Sequence, residues 1–211
     1  KLKEQQIQGL DKLFLTHAHP DHSGNARRIK EWFPEVQVIA HHQSVERLKE
    51  GSKRWTMSRE PHMREFFVRY GNPRPKEEAV FEYLTREDRP QTLPVEVDLV
   101  LTEESPVEDM EVFFTPGHSM DHVCYGIDGH FFGGDMVLSF LPGLEDLWCG
   151  FPQSMILYLR SAKKIRALSS RFPEVPIFHG KKIISLEKWY DELILPKIEK
   201  KYSGLISALD V

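Results

Sequence analysis

The chain has 211 residues, with 28 Lys and Arg against 32 Asp and Glu, a formal charge of −4 and a pI near 6.2. That balance gives no global reason to expect nucleic acid or an acidic membrane surface as a partner, and no apolar run reaches the ~20 residues of a membrane-crossing helix. Hydrophobic content of 40% is ordinary for a globular protein with one substantial core, so a single domain over 1–211 is expected. The two cysteines, Cys124 and Cys149, build no disulfide framework and fit a reducing, cytoplasmic location.

Lys1 to Gln8 reads as the last turns of a helix stopped at Gly9. Leu10 to Leu15 then reads as a buried strand that ends before Pro20. The stretch that follows, Thr16 to Asn25 (THAHPDHSGN), is the densest chemistry in the chain. Side chains two apart on a strand share a face, so His17 and His19 are expected to point the same way as the strand ends. Asp21 and His22 are expected in the turn before Ser23 and Gly24 release the chain into a helix. Three imidazoles and a carboxylate so close together suit Zn²⁺ or Fe, whereas a hard ion such as Ca²⁺ would not choose histidine. A polar loop whose histidines merely cap would not need this spacing.

Asn25 to Trp32 predicts a helix ended by Pro34, and Val36 to Ala40 predicts the next strand of a βα unit. His41 and His42 at its end read as loop or helix-start structure. Helical patterns recur at Val45 to Lys49, Pro61 to Tyr70 and Lys76 to Arg86, with Met63, Phe66, Phe67 and Tyr70 forming an apolar stripe. The stripe is a packing face or, functionally, a cap over a cleft or a dimer contact. His62 reads as structural. Lys53, Arg54, Arg59, Arg64 and Arg69 either meet an anionic substrate or form solvated helix faces.

Val95 to Leu101 and Met110 to Thr115 read as strands joined by an acidic turn, after which Pro116 and Gly117 place His118 in a loop. Val123 to Ile127, a turn at Asp128-Gly129, and His130 to Phe132 predict a hairpin. Cys124 in that run reads as a small buried side chain, and His130 as an exposed strand residue. Gly133 and Gly134 let the backbone turn sharply and bring Asp135 close to a ligand. The loop 139–153 should border a cleft, with Phe140, Leu144, Trp148 and Phe151 as substrate contacts. Ser154 should cap a helix running to about Leu168 with Ile156, Leu159, Ile165 and Leu168 inward. A short strand, Pro176 to Phe178, delivers His179. Ser185 to Lys201 closes the chain as an amphipathic helix.

H-x-H-x-D-H after an apolar strand, followed in order by TPGHSMDHVCY, GHFFGGDMVL and PIFHGKK, resembles the metallo-β-lactamase fold superfamily from residue 10 to about 184. The resemblance implies the α/β class, a four-layer αββα sandwich, here N-terminally truncated and carrying a helical insertion at about 44–90. It implies one metal held by His17, His19 and His118, a second held by Asp21, His22 and His179, and Asp135 bridging the two. Two Zn²⁺ are the implied cofactors, with Fe or Mn at one or both sites as the alternative. Such a pair shares a water that ionises near neutrality. Asp21 would orient the resulting hydroxide and accept its proton, which makes it the implied catalytic residue. His122 would support the ligand loop by hydrogen bonds rather than bind metal. Phe178, where relatives usually carry glycine before the last histidine, departs from the pattern.

The implied activity is hydrolysis of a small ester, thioester or lactone, as in the glyoxalase II-like and lactonase branches. The alternatives are a phosphodiesterase or ribonuclease of the same fold, a mononuclear-iron sulfur dioxygenase, and an inactive fragment or subunit. The partner expected is a small-molecule substrate, with no membrane and no nucleic acid. Strands that relatives carry upstream are missing from the sequence. An open strand edge is a liability, so a fragment, a cleaved product or one part of a complex is expected. The protein partner expected is a second copy in a homodimer or a separate chain supplying the missing N-terminal strands.

Overall fold

The apolar run before the histidine cluster forms β1 (Lys12–Phe14), and two further short runs pair with it. In this computed structural model the residues described are 8–54, 57, 82, 86, 92–138, 155–176 and 183–196. The chain divides into two compact units, Lys1–Leu101 and Thr102–Val211.

In the first unit, β1 pairs in parallel with β2 (Gln37–His41), and β2 with β3 (Leu99–Leu101). Val38, Ile39 and Ala40 are all fully buried. This is why β2 reads as an unbroken apolar run: a strand flanked by parallel neighbours is covered on both faces. The crossover between β1 and β2 carries α1 (Pro20–Ser23) and α2 (Ala26–Trp32). Asp21 and His22 therefore lie in a short helix rather than the expected turn. Pro20 at its first position already has the backbone angle that helix needs. Leu15, Ala18, Ala26, Val38, Ala40, Leu48 and Val95 form the core of this unit.

The expected strand Val95 to Leu101 is laddered only from Leu99. Before that point the Asp98 carboxylate, not a strand carbonyl, takes the Val38 N–H at 2.8 Å. After β2 a 3₁₀ turn (His42–Ser44) leads into α3 (Val45–Glu50). Gly51 at φ 78° ends that helix, and its N–H bonds back to the Arg47 carbonyl. Apart from Glu82 and Arg86, the further helical patterns of the insertion lie outside the described residues.

In the second unit, β4 (Glu111–Phe114), β5 (Val123–Ile127) and β6 (His130–Phe132) form an antiparallel sheet in that order. Asp128 and Gly129 both adopt positive φ, 48° and 74°, which is the backbone twist that a two-residue hairpin requires. The helix α4 (Met155–Arg166) buries Tyr158, Leu159, Ala162 and Ile165. Ile156, expected to face inward, is 45% exposed. The buried positions trace a stripe centred on 158, 162 and 165, and Ile156 falls outside it. Val175–Pro176 (β7) and Ile183–Ile184 (β8) make a two-stranded antiparallel ladder.

Ser185 caps α5 (Leu186–Lys188), its Oγ accepting the Lys188 N–H at 3.1 Å. The helix then continues as a π-helix (Trp189–Ile194), wider than the regular helix expected there. Leu186, Trp189 and Ile194 are buried with Phe113, Phe131 and Phe172 in the core of this unit. Among the described residues, no helix is long and apolar enough to cross a membrane.

Candidate metal centre

The first unit builds its donors from the chain leaving β1. The Leu15 N–H still bonds to the Ile39 carbonyl at 3.0 Å, so the backbone is tied to the sheet up to the residue before Thr16. His17 is completely buried, with its Nδ1 3.1 Å from the Thr16 hydroxyl. That contact aims the other ring nitrogen, Nε2, at His19 Nδ1 2.9 Å away. The His17 ring also lies 4.2 Å from that of His22, centre to centre. The His19 carbonyl accepts the N–H groups of His22 (3.0 Å) and Ser23 (2.9 Å) and the Ser23 hydroxyl (2.9 Å). The turn of helix bearing Asp21 and His22 is therefore pinned to the residue that precedes it. His22 Nε2 sits 3.6 Å from Asp21 Oδ2, and the Asp21 side chain is 77% exposed.

The second unit builds its donors from two separate turns. The loop after β4 opens with Gly117 at φ 142°, where a Cβ would lie 2.3 Å from the Tyr158 Cα. Only glycine lets α4 seat this close to the turn that presents His118. The same helix holds the loop through Ser161, whose Oγ donates to the Pro116 carbonyl at 2.7 Å. His118 is 7% exposed, and its Nε2 lies 3.2 Å from Asp135 Oδ2. Asp135 comes from a 3₁₀ turn (Gly134–Met136) that follows β6, with Gly134 at φ 48°. The Tyr158 hydroxyl donates to the Met136 carbonyl at 3.3 Å, so α4 grips both turns.

The ligand atoms of His17 and His19, of Asp21 and His22, and of His118 and Asp135 come within 4.8 Å of each other inside each pair. Ligands about 2.0–2.1 Å from a tetrahedral ion stand ~3.3 Å apart, which is close to the His118–Asp135 separation. Imidazole nitrogen with carboxylate oxygen is the donor chemistry of zinc and iron, so the residues fit such an ion. His179, the remaining expected ligand, lies outside the described residues, as do Phe178, Cys149 and the cleft-bordering Phe140, Leu144, Trp148 and Phe151.

His41 and His42 take the helix-start role expected of them. His41 Nδ1 accepts the Gln43 N–H at 3.2 Å as the 3₁₀ turn begins. His122 is engaged through both ring nitrogens, with Thr115 at Nδ1 (2.8 Å) and the Asp135 N–H at Nε2 (3.1 Å). His130 is exposed on β6. Thr16, Thr115, Tyr158 and Ser161 support the donors and drew no attention in the sequence. The structure sets Thr115 opposite His122, one step beyond the pairing of Phe114 with Val123.

Residues 1–171 match the model of the metallo-beta-lactamase superfamily. The chain belongs to that superfamily. It is 25% identical over 167 residues to the hydroxyacylglutathione hydrolase of Klebsiella pneumoniae subsp. pneumoniae, a match covering 79% of this chain and 47% of that protein. The chain thus spans about half the length of this curated relative. The structure of a metallo-beta-lactamase family protein from Thermus thermophilus superposes with a TM-score of 0.63 at 22% identity, over 95% of this chain and 64% of that one. The B3 metallo-beta-lactamase BLEG-1 gives 0.60 at 26% identity, over 90% and 78%. The fold is the α/β, αββα class of metallo-β-lactamase-like proteins. Superfamily membership and the clustered imidazole and carboxylate donors together support a metal-binding centre.

Proposed function

We propose that this chain is a hydrolase of a small ester, thioester or lactone, working with two divalent metals. One would be held by His17, His19 and His118, the other by Asp21, His22 and His179, with Asp135 shared. The observation that carries the proposal is the aim of the donors. His17 Nε2 and His19 Nδ1 converge to 2.9 Å in one unit, and His118 Nε2 and Asp135 Oδ2 to 3.2 Å in the other. The hydroxyacylglutathione hydrolase relative supports the substrate class, and the donor types suit zinc or iron ahead of manganese.

Bound divalent metal would make a coordinated water acidic near neutral pH and would polarise the substrate's carbonyl oxygen. The chain's own residues have separate tasks. Thr16 fixes the ring orientation of His17, and the His19 carbonyl anchors the turn that carries Asp21 and His22. Asp21 would take up a proton and return it to water, a role that the solvent exposure of its carboxylate supports. His17 and His118 are buried, so their nitrogens work in surroundings where electrostatic interactions are stronger than in water.

Metal analysis of the purified protein, combined with a panel of thioester, lactone, phosphodiester and β-lactam substrates, tests this proposal. Two zincs with turnover of the thioester or lactone is the expected result. Turnover of the phosphodiester alone would move the chain to the nuclease branch. One iron with oxygen uptake would make it a dioxygenase.

A further inference from the structure

In the second unit a buried chain of hydrogen bonds runs from the Asp135 backbone to the Gly133 backbone through three side chains, and each proton in it can be assigned. The Asp135 N–H donates to His122 Nε2 at 3.1 Å, so that nitrogen carries no proton and the neutral ring must be protonated at Nδ1. Nδ1 lies 2.8 Å from the Thr115 hydroxyl oxygen, which accepts from it. The other end gives the same answer independently. The Cys124 thiol donates to the Gly133 carbonyl at 3.5 Å, and a thiol has a single proton. The Thr115–Cys124 contact of 3.3 Å must then be the threonine hydroxyl donating to sulfur, which leaves the threonine oxygen as an acceptor for His122. Burial pushes the Cys124 thiol up to about 12, so its proton is in place at neutral pH.

We propose that His122, locked by Thr115 as the Nδ1–H tautomer, is a positioning residue that sets the Asp135 carboxylate for metal. It never touches the ion itself. The turn bearing Asp135 follows Gly133 and Gly134, and Tyr158 already holds its far side at the Met136 carbonyl. His122 holds its amide end, and Cys124 holds the Gly133 carbonyl. Thr115 joins the two grips, because its proton goes to sulfur and its lone pairs remain for the histidine N–H. The inference rests on the assignment of Asp135 as a metal ligand in the proposed function.

The first measurement is imidazole ¹⁵N NMR on the metal-free protein. It should show His122 protonated at Nδ1 and unprotonated at Nε2, with coupling across the hydrogen bond to the Asp135 amide. The second is zinc affinity by competition with a chromophoric chelator. Thr115→Val and His122→Leu should each weaken zinc binding by about 10–100-fold, the range for residues that orient a ligand. Thr115→Ser and His122→Gln restore the hydroxyl and the acceptor and should recover most of the loss. A proton on His122 Nε2, or wild-type zinc affinity in folded Thr115→Val, would overturn the proposal. If a variant fails to fold, the wild-type tautomer decides alone. A protein with the expected tautomer and zinc affinity that hydrolyses nothing on the panel would sink the hydrolase assignment and leave this positioning role standing.

Discussion

The first unit presents His17, His19, Asp21 and His22 from one loop and one turn of helix, whereas the second brings His118 and Asp135 together from opposite ends of a hairpin. In the first, local backbone bonds do most of the holding: the His19 carbonyl alone accepts three hydrogen bonds from the two residues that close α1. In the second, the holding falls to side chains from elsewhere in the unit. Thr115, His122 and Cys124 come from the sheet, and Tyr158 and Ser161 from α4. A dense local motif can tolerate changes around it, while a site assembled from distant pieces inherits every weakness of its scaffold. Substitutions away from the ligands should therefore cost more in the second unit than in the first.

The largest effect belongs to a donor. Asp135→Ala should reduce hydrolysis by more than about 100-fold and lower bound metal, because even the residues that merely orient ligands are worth 10–100-fold. His42→Ala, a histidine of the first unit beside the His41 turn, should change neither quantity. Elemental analysis and a rate assay on both variants check this, and the reverse pattern would dismantle the assignment of donors to the second unit.

Next comes the scaffold. Gly117→Ala should destabilise by about 3 kcal/mol or more, since it adds both an overpacked contact and backbone strain. Its Cβ would collide with the Tyr158 backbone, and its φ is 142°. Gly129→Ala is the control. That glycine has φ 74° but nothing within 4 Å of an added Cβ, so only the left-handed penalty of about 1–2 kcal/mol applies. Urea titrations of the two variants separate collision from strain. Equal losses would mean that α4 does not bear on the His118 turn.

The same contrast governs what could be read before the structure. The spacing of His17, His19, Asp21 and His22 is visible because ligands and support lie within one stretch of chain. Strand β5, the Asp128-Gly129 turn and β6 were legible to the residue, since a two-residue turn fixes register. Of the supports in the second unit, His122 was legible from its place after His118, and most of the others were not. Thr115 and Ser161 are ordinary residues until packing sets one against His122 and the other against the Pro116 carbonyl. Ile156 misled for a related reason: an apolar residue in a helix's first turn says nothing about which face meets the core. The π-helix at Trp189 had no sequence signal either, because Leu186, Trp189, Leu193 and Ile194 fit a regular amphipathic pattern equally well.

The smallest effects are electrostatic, and they too set one unit against the other. Burial opposes ionisation of Asp98, but hydrogen bonds from Lys30 and the Val38 amide outweigh it and hold the carboxyl below its ordinary 3.8. A hydrogen bond from Arg166 does the same for Asp191, also against burial. In both cases the folded form binds fewer protons than the unfolded chain as pH drops towards that ordinary value. The stability each contributes is therefore full above the unfolded pKa and is lost as pH falls through the folded one. Asp191→Asn should flatten the acid limb of a stability–pH curve by less than about 1 kcal/mol, since both partners are 38% exposed. Asp98 has a second task, because it is the acceptor for an amide on a strand that is itself completely buried at Val38. Asp98→Asn keeps an oxygen for that amide and should cost little at neutral pH. Asp98→Ala removes the acceptor and should cost about 1–3 kcal/mol at every pH. Unfolding curves for the pair at pH 3 and pH 7 would separate charge from acceptor. If alanine and asparagine behave alike at neutral pH, then the shortening of β3 owes nothing to the Asp98 side chain.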